Sequence, residues 1–248
     1  MRKNYFVMAS LLMLVACSKK EAITERTYYA EVSVAVSNLP GTPETDIYLD
    51  GVFVKTVKPG QDYPSNSAKV VAGSKSKLSL YSAGTKNLIA DSVIDISKNT
   101  LVKVNAVNCE QLGFKGWLTT TKVPDDIMSM QLFDNLPEKY PPVLEMHIFL
   151  ADPITIETAE TGIVLQNFTR NKLHPTRLDL PVKYNPDGKT MLYVCKLKVP
   201  GSNEWILNEG LGLDIIPLTW SDGTNEGKFG IYSIVDEQDY LRADPTYL

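Results

Sequence analysis

Apolar and polar side chains alternate from Glu31 to Ser37, with Val32, Val34 and Val36 on one face. A period of two over such a run predicts a strand with one buried face. Asn38-Leu39-Pro40-Gly41 breaks it. Asp46-Ile47-Tyr48-Leu49 predicts a short strand, Asp50-Gly51 a two-residue hairpin turn, and Val52 to Val57 the returning strand. Pro59-Gly60 marks another turn. Lys69-Val70-Val71 leads to Gly73, and Lys77 to Tyr81 alternates with Leu78 and Leu80 inward and Ser79 outward. Leu88 to Ile96 and Thr100 to Val107 complete this half. Strands every ~8–12 residues, separated by Gly, Pro and Asn, predict a β-sandwich. No stretch of this half keeps a helical period over two turns.

The second half has the same texture. Ser129 to Phe133, Leu144 to Leu150 and Ile163 to Phe168 predict strands. Leu180 to Tyr184, the turn Asn185-Pro186-Asp187-Gly188 and Thr190 to Val199 read as the clearest hairpin in the chain. Trp205 to Leu207, Leu211 to Leu218 and Phe229 to Val235 close the series. A weak repeat links the halves: Ser37-Asn38-Leu39-Pro40 ahead of one apolar strand, Asp134-Asn135-Leu136-Pro137 ahead of another. A boundary is therefore expected near residues 120–127, with all-β sandwich domains over 30–120 and 127–248.

The N-terminus departs from this texture. Arg2 and Lys3 precede a mostly apolar run from Tyr5 to Val15. That run has signal-peptide length and is too short to span a bilayer, which takes ~20 residues. Leu14-Val15-Ala16-Cys17 resembles the lipobox of bacterial lipoproteins. The resemblance implies removal of residues 1–16 and acylation of Cys17 with three chains, which would hold the protein on a membrane. One buried chain alone binds only reversibly. Ser18 after the cysteine, in place of Asp, predicts no inner-membrane retention. Residues 17–29 are expected to form a polar tether.

Losing Arg2 and Lys3 takes the formal charge from -4 to -6. A mildly acidic chain argues against nucleic acid as a partner and against electrostatic docking to anionic lipid. Cys109 and Cys195 remain in a compartment that permits a disulfide, with two buried free thiols as the plainer alternative.

Val32 to Val107 resembles a domain of envelope lipoproteins of Bacteroidetes. The matching features are Asp46-Ile47-Tyr48-Leu49-Asp50-Gly51 and the turn Val70-Val71-Ala72-Gly73. The resemblance implies tandem immunoglobulin-like sandwiches, and it concerns fold more than function. The second half has Leu150-Ala151-Asp152-Pro153 where an Asp-Gly turn would repeat.

Catalytic chemistry finds little footing. Nucleophilic catalysis needs a base within reach of Ser, Cys or Thr. His147 lies in an alternating strand and His174 in a loop before Pro175, and no Gly-x-Ser-x-Gly elbow serves either. The histidines and remaining cysteines are too scattered for zinc, and no cofactor motif occurs. The oxygen-rich run Ser221 to Gly227 reads as a turn ahead of a calcium loop. Trp205 and Trp220, beside turn-rich loops, are candidates for stacking on sugar rings. Asp91-Ser92-Val93 resembles an O-glycosylation pattern of secreted Bacteroidetes proteins, with Ser92 as acceptor.

These readings converge on a lipid-anchored, non-catalytic binding or adhesion module of the outer membrane, cell surface favoured, with a glycan or an envelope protein as ligand. A fimbrial component or accessory subunit of an outer-membrane complex is the alternative, and a glycan-degrading enzyme comes last.

Overall fold

A computed structural model describes residues 27–73, 75–119, 122–220 and 222–248. Cys17, residues 1–16 expected to be a signal peptide, and most of the expected tether lie outside the described residues. The first half contains β1 (Tyr29–Val36), β2 (Thr45–Leu49), β3 (Val52–Val57), β4 (Ser67–Val71), β5 (Ser76–Ser82), β6 (Leu88–Ile94), β7 (Leu101–Cys109) and β8 (Phe114–Trp117). The second contains β9 (Ile127–Asp134), β10 (Val143–Ala151), β11 (Thr158–Thr169), β12 (Leu178–Pro181), β13 (Leu192–Lys198), β14 (Ile216–Pro217), β15 (Phe229–Glu237) and β16 (Tyr240–Tyr247).

The strands form four sheets of four. Their orders are β4-β1-β7-β8 and β3-β2-β5-β6 in the first half, and β12-β9-β15-β16 and β11-β10-β13-β14 in the second. The two orders are the same once each strand number is raised by eight. The chain is therefore two tandem immunoglobulin-like sandwiches of one topology. In each, the opening strand pairs parallel with the seventh, β1 with β7 and β9 with β15.

Alternation builds each core. Val32, Val34 and Val36 meet Ile47, Leu78, Leu80 and Ile96 in the first. Met128, Met130 and Leu132 meet Met146, Ile148, Phe168 and Tyr232 in the second. Each such side chain, fully buried, contributes ~1.5–3 kcal/mol. A third cluster joins the sandwiches. Leu39, Val107, Cys109, Leu112 and Val123 pack with Phe133, Phe229 and Ile231. The Thr246 hydroxyl donates to the Asn38 carbonyl across the same joint at 2.9 Å.

The structure corrects two expectations. First, the Asn-Leu-Pro repeat is out of register by one residue. The last parallel partners are Val36 with Ala106 and Asp134 with Ile234, so Val36 corresponds to Asp134. Leu39 then lies three residues past the strand and Leu136 two. A one-residue slip changes the face a side chain takes. Leu39 enters the joint and Leu136 the second core.

Second, Leu180 to Tyr184 and Thr190 to Val199 are not a hairpin. The turn is real, with Asn185 N donating to Lys189 O and Gly188 N to Asn185 O. Its flanks separate after one bridge, Tyr184 with Thr190, β12 joining β9 and β13 joining β10. Of the two readings of the cysteines the plainer holds: Cys109 and Cys195 are both free and buried. Cys109 belongs to the joint and Cys195 to the second core, so the allowed bridge is not made.

Smaller differences concern the C-terminal half. Of Leu211 to Leu218 only Ile216–Pro217 is a strand, and Trp205 makes a single bridge to Lys198. Strand β16 follows β15 through Gln238 and Asp239, both at positive φ.

Candidate functional site

The Asp46-Ile47-Tyr48-Leu49-Asp50-Gly51 segment builds a cleft on the outer face of β3-β2-β5-β6. Ile47 is buried in the core, so its neighbour Tyr48 faces out. Asp50 and Gly51 have φ of 51° and 79°, the positive values a two-residue hairpin turn demands. That turn brings Phe53 opposite Tyr48. The rings meet edge to face, with centroids 5.6 Å apart. Tyr81, on the next strand, meets Tyr48 at 5.3 Å and 81°. Phe53 is 51% exposed, a large apolar surface left to solvent.

Polar groups edge this aromatic cluster. Asp46 pins the β5–β6 turn to the sheet: its carboxylate accepts from Gly84 N at 2.9 Å and from the Thr56 hydroxyl at 2.5 Å. Ala83 N donates to Glu44 O beside it. The pinned turn presents Thr85 and Lys86. Together with Tyr48, Gly51, Ser79 and Tyr81 they line a cleft of about 440 Å³. Small-molecule sites are typically ~300–1,000 Å³, mostly apolar with a few polar groups. The cleft can cover an apolar ring face and offer hydroxyl and ammonium groups to its edge.

Sequence reasoning missed Tyr48, Phe53 and Tyr81. The signal was present in the alternation, since Tyr81 lies two residues beyond outward Ser79.

The tryptophans lie elsewhere. Trp205 covers the outer face of β11-β10-β13-β14, edge-on to His147 at 5.0 Å and to Phe149 at 6.1 Å. The Lys198 and Lys196 ammonium groups stand 5.3 and 5.9 Å from its ring centre. Trp220 is 46% exposed, and its backbone N–H donates to Asn225 Oδ1. Asn225 in turn donates to the Tyr232 and Tyr247 hydroxyls, so this loop is tied to the second core. Neither tryptophan lines the Tyr48 cleft.

Ser92 is exposed on β6, beside Asp91, which pairs with Lys77 at 2.6 Å. His174 is buried, its Nδ1 accepting from Thr176 N and its Nε2 3.0 Å from Gln166 O. This network assigns the proton to Nε2 and occupies both nitrogens. Burial pushes both free thiols up, Cys195 more than Cys109. Among the described residues no group of three or more His, Cys, Asp or Glu could hold a metal ion. No helix of the described residues is long and apolar enough to cross a membrane.

No protein-family model and no curated protein matches the sequence. Among solved structures the chain is similar to a leucine-rich repeat protein from Bacteroides thetaiotaomicron VPI-5482, at 7% identity and TM-score 0.19 over 72% of this chain. The chain spans only 23% of that protein's length. It is similar to a candidate cell adhesion protein from Bacteroides ovatus ATCC 8483, at 7% identity and TM-score 0.21, covering 89% of this chain and 96% of that one. It is also similar to a streptococcal virulence factor from a structure of alpha-glucan binding, at 11% identity and TM-score 0.27, covering 88% and 97%. Likeness of this depth carries no argument about function.

Proposed function

We propose that the protein is a lipid-anchored, non-catalytic binding module of the outer membrane, and that its first sandwich holds a glycan in the Tyr48 cleft. The observation that carries this reading is the aromatic cluster on the outer face: half-buried Tyr48 and Tyr81 line the cleft with Ser79, Thr85 and Lys86, and exposed Phe53 packs against Tyr48. A sugar ring has an apolar face of C–H bonds and an equator of hydroxyls. Aromatic rings cover the first and hydroxyl or ammonium groups meet the second. The engagement of both His174 nitrogens in backbone contacts supports the non-catalytic part.

The anchor rests on the basic n-region, the apolar run and Cys17. Intact mass of the N-terminal peptide from native membranes tests it, an unacylated Cys17 being the contrary result. The same intact-mass measurement of the whole chain tests Ser92 as a glycan acceptor. Protease treatment of whole cells tests surface exposure, since a periplasmic protein would be protected.

The glycan reading is tested on an oligosaccharide array with the chain from Thr27 onward. Retention that disappears in a Tyr48→Ala/Tyr81→Ala double variant is expected. Equal retention by the variant, or none by the parent chain, would contradict it.

A further inference from the structure

The other outer face of the first sandwich, on β4-β1-β7-β8, differs in kind. At the end where the chain enters β1, three tyrosines are half-exposed: Tyr28 at 42%, Tyr29 at 45% and Tyr63 at 49%. Each has a lysine over its ring. Lys98 stands 3.7 Å from the Tyr28 ring centre, Lys69 4.6 Å from Tyr29 and Lys103 5.9 Å from Tyr63. Register places the strand residues of the patch, and the connections before β1, β4 and β7 supply Tyr28, Tyr63 and Lys98. Tyr29 lies opposite Val71, Glu31 opposite Lys69 and Leu101, and Ser33 opposite Lys103. Val71 and Leu101 are exposed as well, at 59% and 40%. Two carboxylates share the patch: Glu31 accepts from the Tyr63 hydroxyl at 2.9 Å, and exposed Asp62 lies beside Tyr63 and Lys103. Tyrosine and lysine both combine an apolar body with a polar tip, the chemistry that suits a membrane–water interface.

We infer that this tyrosine–lysine face lies against the phosphate-bearing headgroups of the membrane that carries the anchor. The inference rests on the anchor part of the proposed function. Only nine residues, ten Cα–Cα steps, separate Cys17 from Thr27. Even fully extended they span ~36 Å at most, so an acylated Cys17 keeps this end of the sandwich close to the bilayer. Tethering at that range raises the effective concentration of lipid, and a few basic and aromatic side chains then suffice to orient the body. The net negative charge, which argued against anionic lipid at the level of composition, is an average over the whole surface; screening over ~8–10 Å lets this local patch depart from it. The two outer faces of one sandwich point in opposite directions. With the tyrosine–lysine face on the membrane, the Tyr48 cleft faces away from it.

The test couples the mature chain through Cys17 to maleimide-bearing vesicles, the other two thiols being buried. One set of vesicles is phosphatidylcholine and the other phosphatidylcholine mixed with phosphatidylglycerol. Lysine acetylation is then read residue by residue by mass spectrometry. The expected result is labelling at Lys69, Lys98 and Lys103 slowed roughly threefold or more on the anionic vesicles. Lys86 should be unaffected, and high salt should abolish the difference. Lys98→Glu should weaken the protection of the other two. Equal labelling on both vesicles, or protection at Lys86 instead, would overturn the inference. Because the tether is supplied chemically, that failure is separate from failure of the anchor, which the acyl mass on Cys17 reports.

Discussion

The outer faces of β3-β2-β5-β6 and β11-β10-β13-β14 occupy the same place in two copies of one topology. They differ in what lies over them. The first is crossed by a short β5–β6 turn, residues 83–87, which leaves Phe53 half-exposed and Tyr48 and Tyr81 partly open to solvent. The second is followed by a β13–β14 connection of residues 199–215. That connection lays Trp205 and Ile215 on Phe149 and Val194 as a small separate core. The longer connection roofs one surface, and the short turn leaves the equivalent one as a cleft. The same comparison explains why the tryptophans mislead. A tryptophan beside a turn-rich loop can reach a ligand or close over its own sheet, and Trp205 does the second.

The contrast makes distinct demands on mutants. Phe149 is 6% exposed under the roof, so Phe149→Ala should cost about 3–5 kcal/mol by chemical denaturation. Loss of less than about 1 kcal/mol would mean the connection does not pack as described. Trp205→Ala removes a half-buried ring from the same core and should cost about 2 kcal/mol, while leaving glycan retention intact. On the open face the order reverses. Tyr48→Ala should cost about 1 kcal/mol or less of stability and weaken a bound oligosaccharide at least about tenfold.

Between these in size lies a second difference of the two copies. Val36 of the first sandwich corresponds to buried Asp134 of the second. Burial pushes the Asp134 carboxyl up to about 6, against the opposing effects of the Leu136 N–H and Arg170. The folded chain therefore keeps a proton that the unfolded chain releases at lower pH. Stability from this group is present below the ordinary carboxylate range and is lost as pH rises through about 6. Asp134→Asn should gain about 1–2 kcal/mol at pH 7 and nothing near pH ~4, read from denaturation midpoints across that range. A gain that does not depend on pH would assign the effect to packing.

Much of this molecule was legible in local pattern. The alternation of Val32, Val34 and Val36 and the Asp50-Gly51 turn each specify their own element, because strand period and turn dihedrals are local properties. The pattern could not say which strands become neighbours. Asn185 to Gly188 makes the turn its residues announce, yet β12 and β13 leave it for different sheets, a choice made by pairing with distant β9 and β10. Strand β16 gave no signal, since its hairpin is turned by Gln238-Asp239, not by Gly or Asn, and it carries Pro245. An edge position tolerates that proline. The cleft was half legible. Alternation sends Tyr81 outward with Ser79, but only the folded sheet brings Tyr48, Phe53 and Tyr81 to one spot.

The most direct test of the central claim, that the open aromatic face of the first sandwich is the ligand site, is an NMR titration of the chain with an oligosaccharide retained on the array. The account predicts shift changes confined to β2, β3, β5 and residues 83–87, with residues 199–215 silent. Changes centred on Trp205 or Trp220, with Tyr48 and Tyr81 unmoved, would contradict it.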